Sequence, residues 1–132
     1  MPRLARLDAP GVLHHIMIKG IDRRKSFNRI WRTVKREVLY MWAGGFVDFK
    51  DIERAWMIAH GTPQGPFGLM DSIGLDVVYD IEMVYYNESK DSKDYPPEAL
   101  KAMVDRKELG LKTGKGFYNY PDPEYSQSDF LM

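Results

Sequence analysis

The sequence predicts a mainly α-helical domain that carries one β-strand at its N-terminus. From residue 27 onward, apolar residues recur at spacings of three and four, which is the periodicity of amphipathic helices. Aspartate, glycine and proline interrupt this pattern at positions typical of helix starts and stops. The chain has 132 residues, of which 44% are hydrophobic, so it can form the core of one domain.

Charge is unevenly distributed although the formal net charge is zero. Residues 1–36 contain ten Lys/Arg and two Asp, whereas residues 37–132 contain nine basic and seventeen acidic residues. This asymmetry indicates two segments with different partners, or a basic face paired with an acidic one. The chain has no cysteine, which excludes disulfides and thiolate metal sites and favours a reducing cytoplasmic location. No apolar run reaches the length of about 18 residues that indicates a membrane span, and we therefore expect no membrane partner.

The predicted strand comprises residues 12–18, between Gly11 and Gly20. A single strand cannot satisfy its backbone polar groups alone, so we expect it to pair with a second strand, to pair with the same strand of another copy, or to remain mobile. His14 and His15 would point to opposite faces of this strand. They are therefore expected to be strand residues and not metal ligands, and we predict no metal site.

Helices follow in order along the remaining chain. Residues 26–43 form the first, with Ser26 as N-cap and Gly44-Gly45 after its end. Asp48 caps the second, which Gly61 stops. Its expected inward stripe is Ile52, Ala55, Trp56 and Ala59.

Residues 61–76 form a connector between packed helices, with a short helix starting at Pro66. Phe67, Met70 and Ile73 are expected on one face of this helix. Asp76 is expected to cap a further helix from Val77, and Pro96-Pro97 precede the last one. The expected apolar residues of these two helices are Val77, Ile81, Val84 and Tyr85, and then Leu100, Met103 and Val104.

Three motifs resemble the C-terminal domain of the L-3-hydroxyacyl-CoA dehydrogenases of fatty-acid β-oxidation. Asn28-Arg29 match the family's G-F-x-x-N-R, although Arg24 and Lys25 replace its Gly-Phe. Residues 61–76 match G-x-P-x-G-P-F-x-L-x-D-x-x-G-L-D, and residues 112–120 match K-x-G-x-G-F-Y-x-Y. Phe117, Tyr118 and Tyr120 of the third motif are expected to anchor it on the helices. The resemblance implies the all-helical fold of the 6-phosphogluconate-dehydrogenase-like type.

The resemblance also implies a function, the NAD-dependent oxidation of 3-hydroxyacyl-CoA to 3-ketoacyl-CoA. In the family, the asparagine matched by Asn28 lies near the substrate's 3-oxygen and places it against a catalytic histidine. Without the resemblance, Asn28 is a residue that caps a helix or faces solvent. No G-x-G-x-x-G follows a strand in these residues, so no NAD site is expected in this chain. We therefore expect no turnover by the isolated chain, and acyl-CoA binding only together with an NAD-binding domain.

The family's C-terminal domain forms much of a dimer interface, which implies a homodimer here. Trp31, Trp42 and Trp56 are expected anchors of the core or of this interface.

The opening residues resemble a second family, the REP-associated and insertion-sequence-200-like tyrosine transposases. Ala9-Pro10-Gly11, His14-His15 and the segment Lys19–Arg24 match its N-terminal pattern. We therefore expect a transposase-like leader at residues 1–25, the helical domain at 26–120 and a flexible tail at 121–132. Two other functions remain open: a DNA-binding module that uses the basic N-terminal third, and a structural remnant that completes a separate NAD-binding domain.

Overall fold

The computed structural model describes the backbone of residues 12–132 and the side chains of residues 26–132. In this part of the chain the regular structure is helical. The five α-helices are α1 (Val12–Ala43), α2 (Phe49–His60), α3 (Pro66–Ile73), α4 (Leu75–Ser89) and α5 (Glu98–Asp105). Three short 3₁₀ turns follow α4, α5 and the third motif, at Ser92–Asp94, Leu111–Thr113 and Glu124–Ser126. The predicted helical class is confirmed.

The predicted strand at residues 12–18 was wrong, because these residues begin α1. The segment contains five apolar residues and two histidines, so it fits a helical period as well as a strand period. A helix satisfies its own backbone groups, whereas a strand needs a partner. Ser26 is consequently inside the helix and is not its N-cap. The side chains of His14 and His15 lie outside the described part of the structure.

Several helix boundaries follow directly from the sequence. The Asp48 side chain accepts a hydrogen bond from the Lys50 amide at 3.1 Å and caps α2. Gly61 ends α2 with a φ of +64°, a left-handed conformation that glycine adopts at low cost. Pro66 occupies the first turn of α3. Helix α4 begins at Leu75, two residues earlier than expected, so Asp76 lies in its first turn.

The chain divides into two compact units, residues 1–34 and residues 35–132. In the second unit the core contains side chains from α1, α3, α4 and α5. Its most buried apolar members are Leu39, Phe67, Met70, Leu75, Val78 and Leu100. None of the helices in the described range is both long and apolar enough to cross a bilayer.

Two predicted apolar stripes have a different orientation from the one expected. On α2 the buried residues are Glu53 and Met57, while Ala55 and Ala59 are exposed. On α4 the buried residues are Leu75, Val78 and Glu82. The stripe that the sequence suggested for the core of α4 faces outward, with Val77, Ile81, Val84 and Tyr85 all exposed. The last helix behaves as expected, since Leu100 and Met103 are buried.

Candidate functional site

Asn28 lies in the first unit, more than four turns into α1, and its side chain is exposed. It does not cap a helix, because the helix begins far upstream at Val12. Its neighbours Phe27 and Ile30 are each 64% exposed. Large apolar side chains exposed together mark a surface able to contact a partner or a ligand. Asn28 is therefore an amide that can donate and accept hydrogen bonds, on a helix segment with exposed apolar neighbours.

The second and third sequence motifs meet at a buried carboxylate, that of Asp71 on α3. The backbone amides of Phe117 and Tyr118 donate to its Oδ1 and Oδ2 at 2.9 and 3.0 Å. The Tyr120 hydroxyl donates to Oδ2 at 2.8 Å. Three donors to one carboxylate form what we call the Asp71 cage, defined by these four residues. The two motifs are thus one structural unit joined by hydrogen bonds.

Glycine is required on both sides of this cage. A Cβ at Gly116 would collide with the Asp71 carboxylate oxygen, and would lie 2.6 Å from the Cα of Gly110. A Cβ at Gly110 would collide with the Asp71 backbone, and Gly110 also has a φ of +109°. Gly116 of the third motif and Gly110 just before it therefore allow the close approach of two backbone segments.

A second buried carboxylate, that of Glu53 on α2, binds the N-terminal end of α3, whereas Asp71 lies near the C-terminal end. Its oxygens accept hydrogen bonds from the amides of Phe67 at 2.9 Å and Gly68 at 2.7 Å. These amides belong to the first turn of α3, whose N–H groups have no partner within the helix. Gly65 and Gly68 leave no space for a Cβ beside this carboxylate. Helix α3 is therefore held by one acidic side chain at each end.

Burial dominates the electrostatics of both carboxylates. Desolvation raises the pKa of Glu53 and the pKa of Asp71 above their ordinary values, although the backbone donors to each act in the opposite direction. Burial likewise raises the pKa of the Tyr118 and Tyr120 phenols. The protein's own amide and hydroxyl groups donate to both carboxylates, so each carboxylate joins two segments of the fold as a hydrogen-bond acceptor.

Aromatic rings pack around the cage as the sequence predicted. Phe117 contacts Trp42 with a centroid distance of 4.8 Å, Phe67 at 4.8 Å and Phe49 at 5.5 Å. The contacts with Trp42 and Phe67 are edge-to-face, a geometry that stabilises aromatic pairs beyond the burial of area alone. The half-buried Trp42 thus packs on core residues of the second unit, whereas Trp56 stacks on His60 at 4.2 Å. The expected role of Phe117 as an anchor is confirmed.

The sequence did not single out Glu53 or Asp71 as key residues, although Asp71 lies within the second motif. The sequence contains one indication of this role. Asp71 stands within the apolar run of the second motif, and the third motif contains glycines that allow a backbone to approach it closely. No group of histidine, aspartate and glutamate able to hold a metal occurs among the described side chains. Most side chains of the basic N-terminal third lie outside that range, so the DNA-binding alternative gains no support from them.

Comparison with known proteins gives a consistent result. The family model described as 3-hydroxyacyl-CoA dehydrogenase, C-terminal domain, matches residues 26–120. A 3-hydroxybutyryl-CoA dehydrogenase of Clostridioides difficile is 39% identical over 93 residues, which are 70% of this chain and 33% of that protein. The mitochondrial hydroxyacyl-coenzyme A dehydrogenase of Sus scrofa is 32% identical over 94 residues, which cover 70% of this chain and 30% of that one.

A solved structure gives the same relation in three dimensions. The (S)-3-hydroxybutyryl-CoA dehydrogenase PaaH1 of Ralstonia eutropha superposes with a TM-score of 0.65 at 33% identity, over 72% of this chain and 34% of that one. The present chain thus spans about a third of the length of the proteins it matches. The matched residues 26–120 include Asn28 and the four residues of the Asp71 cage. The chain belongs to the family of 3-hydroxyacyl-CoA dehydrogenase C-terminal domains.

Proposed function

We propose that residues 26–120 are the substrate-binding and dimerisation domain of a 3-hydroxyacyl-CoA dehydrogenase, and that residues 1–25 are a leader. The family match carries this proposal, since it covers all three motifs in order. Hydride transfer also requires a dinucleotide-binding domain, and these 132 residues contain no G-x-G-x-x-G fingerprint. We therefore infer that the activity arises when this domain is combined with an NAD-binding domain of the family.

The role proposed for Asn28 is to position the substrate. Its carboxamide N–H₂ is a hydrogen-bond donor suited to the 3-oxygen of a 3-hydroxyacyl or 3-ketoacyl group. During reduction of the ketone, charge develops on this oxygen, and a fixed donor stabilises it. NAD supplies the hydride chemistry when it is bound to its own domain. The exposure of Asn28, Phe27 and Ile30 supports this role, because the amide and its apolar surroundings are available to a second domain.

The test is a complementation assay with a separately produced NAD-binding domain of the family. The readout is oxidation of NADH with acetoacetyl-CoA as substrate. We expect activity from the mixture and none from this chain alone. Asn28→Ala is expected to reduce kcat/KM by about 10²- to 10³-fold, the effect of losing one oxyanion donor. Ser26→Ala, at an exposed position of the same helix, is the matched control and should retain the activity of the unmodified mixture.

Two results would contradict the proposal. One is robust NADH oxidation by this chain alone. The other is a mixture in which Asn28→Ala is as active as Ser26→Ala, since the amide would then have no part in the reaction.

The proposal includes a homodimer formed through α4. Val77, Ile81 and Val84 lie three and four residues apart on α4 and are exposed, and we call this row the α4 stripe. Isoleucine and valine side chains are usually buried, and a continuous row of them on the surface is typical of an interface. A second copy is the partner that the family resemblance implies. The α4 stripe supplies the self-complementary patch that a two-fold dimer requires.

A charge placed in the α4 stripe tests the dimer. Val84→Lys introduces an ammonium group at a position expected in the interface, where its burial is costly. We expect light scattering at tens of micromolar to show a dimer for the unmodified chain and a monomer for Val84→Lys. Asn87→Lys makes the same change at an exposed position outside the stripe and should remain dimeric. A monomeric unmodified chain would refute this part of the proposal.

A further inference from the structure

Residues 121–132 lie beyond the residues that the family model matches, yet they pack on the domain. The sequence predicted a flexible tail for this segment, and in the structure the segment contacts helix α2 and the third motif. Phe130 is only 5% exposed, and Pro123 is buried. An aromatic residue near a chain end that is buried to this extent anchors the segment through apolar burial. We call residues 121–132 the C-terminal clasp.

Helix α2 holds the clasp through specific polar contacts. The Arg54 Nε donates to the carbonyl oxygen of Phe130 at 2.7 Å. The Arg54 guanidinium also lies 4.5 Å from the centroid of the Phe130 ring, within the range of a cation–π interaction. The Arg54 Nη1 also donates to the Asp51 Oδ1 at 2.9 Å, which holds the guanidinium in place. One turn earlier, Lys50 pairs with Glu124 at 2.9 Å.

The clasp also contacts the Asp71 cage. Tyr125 and Phe130 pack on the ring of Tyr118 with centroid distances of 4.9 and 6.3 Å. Tyr118 is one of the three donors to Asp71. A further ring contact joins Tyr125 to Tyr120, the phenol donor of the same cage, at 6.5 Å. The clasp therefore packs on the rings of Tyr118 and Tyr120, two residues that also donate hydrogen bonds to the Asp71 carboxylate.

We propose that the C-terminal clasp is a conformational strap that keeps the Asp71 cage closed. The cage joins the second motif to the third by hydrogen bonds over a sequence separation of 46 to 49 residues. Such bonds are stronger in a buried, low-dielectric environment than beside water. Phe130 and Tyr125 exclude water from the Tyr118 side, and Arg54 fixes the Phe130 backbone. Release of the clasp thus opens the cage while the helices remain folded.

Amide hydrogen exchange on the full chain tests this inference, because exchange reports local opening residue by residue. In Phe130→Ala we expect the amides of Phe117 and Tyr118 to exchange at least about tenfold faster, since losing a buried phenylalanine is worth more than the 1.4 kcal/mol that corresponds to a tenfold change. The amide of Val78, which donates to the Gly74 carbonyl at 3.0 Å in α4, should change much less. Leu131→Ala alters the exposed neighbour of Phe130 and is the matched control.

Arg54→Ala provides an independent test that leaves every core side chain intact. We expect it to accelerate the same two amides, and the double variant with Phe130→Ala to add less than the sum of the two effects, because both residues belong to one contact. The inference is overturned if Phe117 and Tyr118 keep their exchange rates in Phe130→Ala and Arg54→Ala. It is also overturned if Val78 accelerates as much as they do, which would indicate global unfolding.

Discussion

Asn28 and Asp71 both belong to motifs of the same family, but their surroundings differ completely. Asn28 is exposed on α1 beside two exposed apolar side chains. Asp71 is fully buried, and three donors from the third motif surround its carboxylate. The family motifs thus contain residues of two kinds. One kind is exposed on a helix, and the other is buried and joins two distant parts of the chain by hydrogen bonds.

The largest effect is expected from Asp71→Ala. This change leaves the amides of Phe117 and Tyr118 and the Tyr120 hydroxyl without their acceptor. A buried donor that loses its partner costs about 1–3 kcal/mol, so we expect the free energy of unfolding to fall by about 4 kcal/mol or more. Chemical denaturation measures this loss. A decrease below about 1 kcal/mol, the net value of a single hydrogen bond, would mean that the cage does not stabilise the fold.

The buried carboxylate of Glu82 on α4 sharpens the comparison, because a lysine side chain and not backbone amides lies beside it. Lys35 Nζ lies 3.3 Å from Glu82 Oε1, and both side chains are almost fully buried. Lys35→Ala removes the cation from beside a buried carboxylate, and we expect a loss of about 3 kcal/mol. Denaturation of the double variant Lys35→Met with Glu82→Leu is expected to show recovery of most of this loss, since apolar residues can replace a buried ion pair. No such pair of substitutions is available for Asp71, whose donors are mostly backbone groups.

The comparison of the double variant with Lys35→Ala decides this point. If the double variant is as unstable as Lys35→Ala, apolar side chains do not replace the Lys35–Glu82 ion pair, and the expectation is wrong.

A smaller effect concerns pH. Burial raises the pKa of Asp71 above its ordinary value of 3.8, so the folded protein binds a proton more tightly than the unfolded chain does. The stability gained from this proton is fully present below pH 3.8 and is lost as the pH rises through the raised pKa. We therefore expect the difference in unfolding free energy between the unmodified protein and Asp71→Asn to shrink as the pH rises from 3.8. Denaturation at a series of pH values measures it, and a difference that grows with pH would have the wrong sign.

Much of the fold follows from local sequence signals. Asp48, Gly61 and Pro66 mark the boundaries of α2 and α3 where the sequence predicts them. These residues act through their own side chains or backbone conformations, so their effect does not depend on distant parts of the chain. The α-helical class was also predictable from local sequence, because the spacing of apolar residues at three and four indicates helices.

The orientation of helices α2 and α4 was not predictable in this way. Periodicity identifies an apolar face, but it does not say whether the face is covered by the same chain or by another. On α4 the apolar stripe around Ile81 is exposed, and Glu82 on the other side is buried against Lys35. The structural roles of Glu53 and Asp71 depend on donors 14 to 49 residues away. A single sequence does not show which distant residues pair. It shows only that Asp71 stands among apolar residues and that the third motif contains glycines.

The different roles of Asn28 and Asp71 are tested most directly by measuring stability and activity for a variant of each residue in the complemented enzyme. For Asn28→Ala we expect a melting temperature equal to that of the unmodified chain and a loss of kcat/KM of about 10²- to 10³-fold. For Asp71→Asn we expect a lowered melting temperature. The opposite result is an Asn28→Ala variant that unfolds at a lower temperature while kcat/KM per folded molecule is unchanged, because Asn28 would then be a structural residue like Asp71.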